Sequence, residues 1–168
     1  MKIVPIFAPY LFAFQYEGEE MNEFDRLLLN EWTSFVGLED FFANNPNVLA
    51  YEKLTLDNAV AQTRRTAREM YASLETNKTN LDVLFENLTP STTFRNLDKQ
   101  KYKEKWLRLY AIMLESGHYI ITGGAIKQSQ KMLDDTLTQQ ELNKLEKCLI
   151  YLKAQGVTDI VTFSELNF

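Results

Sequence analysis

The sequence predicts an α+β fold: a small antiparallel sheet with N-terminal helices and one C-terminal helix packed on it. Three observations carry that expectation. Residues 106–115 and 118–127 are two runs of aromatic and branched apolar residues around a Ser116-Gly117 break, the signal of a β-hairpin. Residues before position 93 show apolar spacing of helical period, and so do Leu142, Leu145, Leu149 and Leu152 near the C-terminus. The length of 168 residues suits one domain with a sizeable core. The expected division is a mostly helical part over 1–93, a sheet core over 94–133 and a C-terminal helical part over 134–168.

Residues 1–16 read as strand-like, with Pro5 and Pro9 restricting them to an edge or to broken pieces. The apolar run from Ile3 to Phe14 superficially resembles a signal peptide. The two prolines and the absence of a small-x-small cleavage site argue instead for a strand or extended arm. No run approaches the ~20 apolar residues of a membrane helix. Asn22 can cap a helix that carries Phe24, Leu27, Leu28 and Phe35. A second short helix holds Leu38, Phe41 and Phe42, and Pro46 stops it. Thr55 opens a longer helix with Val60, Ala67, Met70, Tyr71 and Leu74 along one stripe. On that helix Arg64, Arg65 and Arg68 cluster, either as an anion-binding surface or as a solvated face pairing with the acidic N-terminal helices. Leu81, Leu84, Phe85 and Leu88 suggest another helix over 80–88, closed by Pro90.

Phe94 to Leu97 reads as a short strand and 98–105 as a charged loop or strand rim. In the hairpin, Trp106, Arg108, Tyr110 and Ile112 face one way and Leu107, Leu109, Ala111 and Met113 the other. Both faces are largely apolar, so these strands are expected to be covered on both sides. Gly123-Gly124 inside the second strand predicts a bulge or a close backbone approach. Thr138 with Glu141 reads as a capping box, Gly156 as the C-terminal cap of that helix, and Thr162 with Glu165 as the cap of a final short helix.

Composition narrows the chemistry. The chain holds one cysteine and one histidine, so an internal disulfide and multi-cysteine or multi-histidine metal sites are excluded. Cys148, in a helical repeat, reads as a small buried core residue. His118 reads as an exposed turn histidine, with a general base as the alternative. Glu19-Glu20 and Asp134-Asp135 read as solvated charge. No phosphate-binding glycine loop is present.

Net charge is −5 but unevenly spread: 14 acids and 7 bases lie in 1–93, 3 acids and 8 bases in 94–133, and 6 acids and 3 bases in 134–168. The basic set of the middle segment is Arg95, Lys99, Lys101, Lys103, Lys105, Arg108, Lys127 and Lys131. Cations on neighbouring strands can converge on one phosphodiester and stabilise the charge of its transition state. The competing reading is that of edge-strand lysines that discourage aggregation. For Arg108, inside an apolar strand, phosphate binding and structural ion pairing stand level.

Three segments, Phe94 to Leu97, Trp106 to Ile112 and Tyr119 to Lys127, together resemble the strand core of the RelE/HigB-type toxins of bacterial toxin–antitoxin pairs. The resemblance covers roughly residues 94–133. It implies a small α+β protein of the bacterial cytoplasm that cuts messenger RNA on the ribosome without metal or cofactor. Its expected partner is an antitoxin with a helix-turn-helix. By position, Arg108 resembles the arginine that contacts the scissile phosphate and Lys127 the basic residue ending the next strand. Arg95, Lys101, Lys103, Lys105 and Lys131 are the supporting RNA contacts this reading proposes. The alternative is a non-enzymatic interaction module of the same fold.

Overall fold

The Ser116-Gly117 hairpin is the centre of the architecture. The computed structural model describes residues 1–90, 93–128 and 136–166. Its strands are β1 (Lys2–Phe7), β2 (Leu11–Gln15), β3 (Glu86–Asn87), β4 (Lys99–Glu104), β5 (Leu107–Glu115) and β6 (His118–Ile126). Its helices are a π-helical segment (Asp25–Glu31), α1 (Phe35–Asn44), α2 (Asn47–Glu52), α3 (Leu56–Thr76), α4 (Thr136–Ala154) and α5 (Ile160–Ser164), with a 3-10 turn at Leu81–Val83. Gly117 takes the left-handed conformation at φ +84 that the hairpin turn requires.

The strands form one six-stranded sheet in the order β1-β2-β6-β5-β4-β3. The fold is α+β, but the sheet is mixed and not purely antiparallel, because β2 runs parallel to β6 from Leu11↔Tyr119 to Ala13↔Ile121. The sheet reaches six strands because residues 1–16 fold into a second hairpin and join the core sheet. Pro5 sits on β1, the outer strand, where its missing N–H does no harm.

Helices cover both faces, as the two-sided apolar pattern requires. Leu107, Leu109, Ala111 and Met113 pack with Leu27, Leu28, Trp32, Val60, Ala67 and Met70 on the N-terminal side. Ile112, Leu114 and Ile120 pack with Cys148, Leu149, Leu152 and Phe163 on the other. Gly123 and Gly124 each admit a close neighbour on opposite faces. A Cβ on Gly124 would stand 2.6 Å from the Arg108 carbonyl oxygen and 2.9 Å from Leu27 and Trp32, and one on Gly123 would strike the Glu141 carboxylate. At Thr122, skipped by the register between Tyr110↔Gly123 and Ala111↔Ile121, β6 bulges.

Capping chemistry fixes several helix ends. Asn22 Oδ1 accepts from Asp25 N at 3.0 Å and Thr55 Oγ1 from Asn58 N at 3.2 Å. Gly156, at φ +79, ends α4 with Val157 N donating to the Leu152 carbonyl at 3.1 Å. Thr138 lies inside α4 rather than at its cap. The last helix is capped by Asp159, whose carboxylate accepts from Thr162 N at 2.8 Å, so it starts before the expected Thr162.

Two expected elements do not form. Residues 80–88 make one 3-10 turn and then β3, because Asp82 is held by the hairpin turn. Its carboxylate accepts from Gly117 N at 2.8 Å, from Tyr119 Oη at 2.6 Å and from the Ser116 hydroxyl. Residues 94–97 form a turn, not a strand. Leu97 adopts φ +67, and Arg95 N donates to Asp98 Oδ2 at 2.9 Å.

Leu145 and Leu149 of α4 are both buried, Leu149 against the sheet-side cluster around Phe12 and Ile112. Leu149→Ala is expected to lower stability by about 2–5 kcal/mol through lost transfer energy and the cavity left behind. Chemical denaturation checks this; an unchanged midpoint would make α4 peripheral to the core.

Candidate functional site

The basic residues of the middle segment fall into two groups along β4 and β5. In β4, Gln100 and Tyr102 are buried, while Lys101 and Lys103 alternate to the opposite face. Lys103 lies directly across from Arg108, and Lys101 across from Tyr110. Like charges opposite one another on a sheet repel. Glu86 of β3 offsets part of this, 3.9 Å from Lys101 and 3.5 Å from Lys103. The Lys101 ammonium is held below its ordinary range, first by partial burial. Glu86 acts against that shift, and Lys103 and Arg108 reinforce it.

The turn from β4 to β5 brings in the rest. Lys105 adopts φ +51, a strained conformation for a side chain with a Cβ, and its ammonium donates to Gln62 Oε1 at 3.2 Å. Arg108 Nη1 donates to the Lys105 carbonyl at 2.6 Å and to that of Leu107 at 2.9 Å, so the guanidinium folds back over the turn. Trp106 Nε1 donates to Thr63 Oγ1 at 2.8 Å, pinning the turn to α3. Lys127 N donates to the Trp106 carbonyl at 2.7 Å, which sets the end of β6 beside the same turn. Lys105, Arg108 and Lys127 thereby line one open cleft of about 240 Å³, with Tyr51 and Glu52 of α2 on its opposite wall. This arrangement can hold an anion among three cations, and it has a carboxylate within the same cleft.

Arg95 is not part of it. Leu97 N bonds to the Met113 carbonyl, so Arg95 lies near the far end of β5, where Met113 is five residues along the strand from Arg108. At about 3.3 Å per residue that is roughly 16 Å. Arg95 instead borders a separate cavity of about 620 Å³ with Lys99 and Lys153. Lys99 forms an ion pair with Glu146 of α4. His118 is also remote from Arg108: Nδ1 meets the Pro9 carbonyl at 2.8 Å and the ring stacks on Tyr10 at 5.6 Å. Lys131, Asp134 and Asp135 lie outside the described residues.

A second polar constellation was not legible beforehand. The parallel pairing of β2 with β6 ends at Ala13 and Ile121, and polar side chains gather just beyond that point. The Tyr16 hydroxyl donates to the Thr122 carbonyl and lies 3.1 Å from Cys148 Sγ. Glu23, 2 % exposed, receives ion pairs from both Arg26 and Lys144. Glu141 stands 2.8 Å from Lys144 and 3.7 Å from Arg26. The Lys144 contact to Glu141 Oε2 is an ion contact without hydrogen-bond alignment. Lys144 also sits over the Tyr16 ring at 4.8 Å. Burial pushes the Cys148 thiol up to about 11, which keeps it protonated and inert. An apolar-walled cleft of about 550 Å³, with Trp32, Leu38 and Phe41 on one side and Leu137 on the other, adjoins Arg26 and Glu141.

One signal for this cluster was present in the sequence. Glu141 and Lys144 stand four residues before Leu145 and Cys148, so two charges share the buried stripe of α4. A charge on an apolar stripe needs partners, and those partners come from residues 23 and 26.

Burial holds the Glu141 carboxyl above its ordinary 4.5, with Glu23 adding to the shift and Lys144 and Arg26 opposing it. A carboxyl raised in the folded state contributes stability below its unfolded value, and that contribution is lost as pH rises through the folded value. The melting temperature of the parent relative to Glu141→Gln is therefore expected to be highest near pH 4 and to fall as pH rises from about 4.5. A difference that is flat over pH 4–8 would place Glu141 in contact with water.

Comparison with protein-family models, with curated proteins and with solved structures finds no match to this chain.

Proposed function

We propose that this chain is a RelE/HigB-like toxin, a metal-independent endoribonuclease acting on messenger RNA and neutralised by an antitoxin. The observation that carries this reading is the convergence around Arg108. Lys105, Arg108 and Lys127 line one cleft, and Lys103 and Lys101 extend the positive surface along β4. In the proposed reaction Arg108 and Lys127 hold the non-bridging oxygens of the scissile phosphate. The 2′-oxygen attacks the adjacent phosphorus as its proton passes to an acceptor, the bond from phosphorus to the 5′-oxygen breaks to leave a 2′,3′-cyclic phosphate, and the 5′-oxygen takes its proton from solvent water. Glu52 is the carboxylate of the cleft suited to accept the first proton. Positioning and charge stabilisation supply most of such a rate enhancement. Lys101 and Lys103 serve as supporting contacts to the neighbouring phosphates.

A non-enzymatic interaction module is the second reading. It is favoured by the helices that cover both sheet faces, which leave the basic residues on β4 and the β4–β5 turn at the margin of the sheet. Inducible expression in a bacterial host, following growth and messenger cleavage, separates the two. Growth arrest with new messenger 5′ ends supports the toxin, and unimpaired growth with intact messengers supports the module.

A further inference from the structure

The arginines of α3 form a motif of the sequence that the proposed nuclease cleft does not absorb. Arg64 and Arg68, one turn apart, border an open concavity of about 420 Å³ together with Leu28, Leu29, Thr33 and Tyr71. Arg65 lies exposed beside them. The sequence offered these cations the acidic N-terminal helices as partners. The structure pairs them otherwise: Arg64 Nε donates to the Thr33 carbonyl at 3.0 Å and its guanidinium stands 5.8 Å from the centre of the Phe35 ring. Among the described residues no carboxylate lies within ion-pairing distance of Arg64, Arg65 or Arg68.

Apolar side chains adjoin these cations. Leu29 and Phe35 are each 51 % exposed at the same place, although Leu28 beside them is fully packed. Large apolar side chains next to cations with no carboxylate in ion-pairing distance supply the two components of an interface, an apolar contact and a charged rim.

We infer that this surface docks an acidic amphipathic segment of a partner protein. Leu29 and Phe35 would receive its apolar side chains, and Arg64, Arg65 and Arg68 would pair with its carboxylates. Two features favour a peptide over nucleic acid. Exposed aliphatic surface at Leu29 has no counterpart in a phosphate backbone. Residues 1–93, which build this surface, hold 14 acids against 7 bases and so repel an extended polyanion here, whereas a short acidic segment feels only charges within a Debye length of roughly 8–10 Å. The inference is independent of the nuclease reading, because Arg108 and Lys127 belong to a different cleft.

The test is fluorescence anisotropy on the full chain with a synthetic helical peptide bearing glutamates on one face and leucines on the other. The control is its lysine-for-glutamate counterpart. The acidic peptide is expected to bind and the basic one not. Affinity should weaken with salt, and should drop about 5- to 30-fold both in Arg65→Glu/Arg68→Glu and in Phe35→Ala. Arg65 and Arg68 are exposed, so the double variant should melt with the parent, and Arg108→Ala should bind as the parent does. Equal binding of the two peptides, or acidic-peptide binding indifferent to the arginine changes, would overturn the inference. So would binding of a single-stranded RNA oligomer that the double variant loses while the acidic peptide is ignored. Self-association of the chain that Phe35→Ala abolishes, with no peptide bound, would assign the surface to a second copy instead.

Discussion

Arg108→Ala is expected to abolish growth inhibition while leaving the fold intact. The guanidinium is half-buried and bonds to the carbonyls of Lys105 and Leu107, at the end of the sheet and outside the packed core. Its removal from the proposed phosphate site withdraws a contact to charge that develops in the transition state. Such a contact commonly carries about 100- to 1000-fold in rate. Melting temperature and toxicity must be measured on the same variant. A folded Arg108→Ala chain as toxic as its parent would sink the catalytic role of Arg108. A toxic parent whose Arg108→Ala variant no longer folds would move that arginine to a structural role, and Lys127→Ala would then be the discriminating change. Lys127 shares the cleft, and the same loss of rate is expected there.

Glu23→Ala carries the largest expected effect on stability. Glu23 is 2 % exposed and holds both Arg26 and Lys144, so its loss leaves two cations without their shared carboxylate. Breaking a buried pair from one side costs about 3–5 kcal/mol, because the remaining charge stays desolvated. Glu31 keeps its ion pair with Arg26 at 2.6 Å and Glu141 stays beside both cations, so the loss falls mainly on Lys144 and places the effect toward the lower end of that range. In a domain of this size the expected fall in melting temperature is roughly 6–20 °C. A midpoint within about a degree of the parent would mean that water reaches the cluster and screens it.

Local chemistry explains which parts of the fold were readable in advance. The hairpin at Ser116-Gly117, the two glycines of β6, the cap at Thr55, the terminator at Gly156 and the apolar stripes of α3 and α4 each depend on residues within a turn or two of one another. Burial of Cys148 followed from the same stripe. Residues 80–88 misled for the opposite reason: their helical spacing is real, but Asp82 gains three hydrogen bonds by turning toward the hairpin, and Glu86 and Asn87 pair with β4. Tertiary bonds of that number outweigh a propensity of a few tenths of a kcal/mol per residue.

The residue pattern carries the α+β class, the central hairpin with both faces covered, and the concentration of cations around that hairpin. Long-range packing makes the sheet mixed, because the parallel partnership of β2 and β6 joins residues more than 100 positions apart. It alone separated Arg95 from Arg108 and set Glu23, Arg26, Glu141 and Lys144 together between the N-terminal segment and α4. Side-chain periodicity reports which face of an element is buried. It does not report which distant element covers that face, and in this chain that pairing decides where the charges meet.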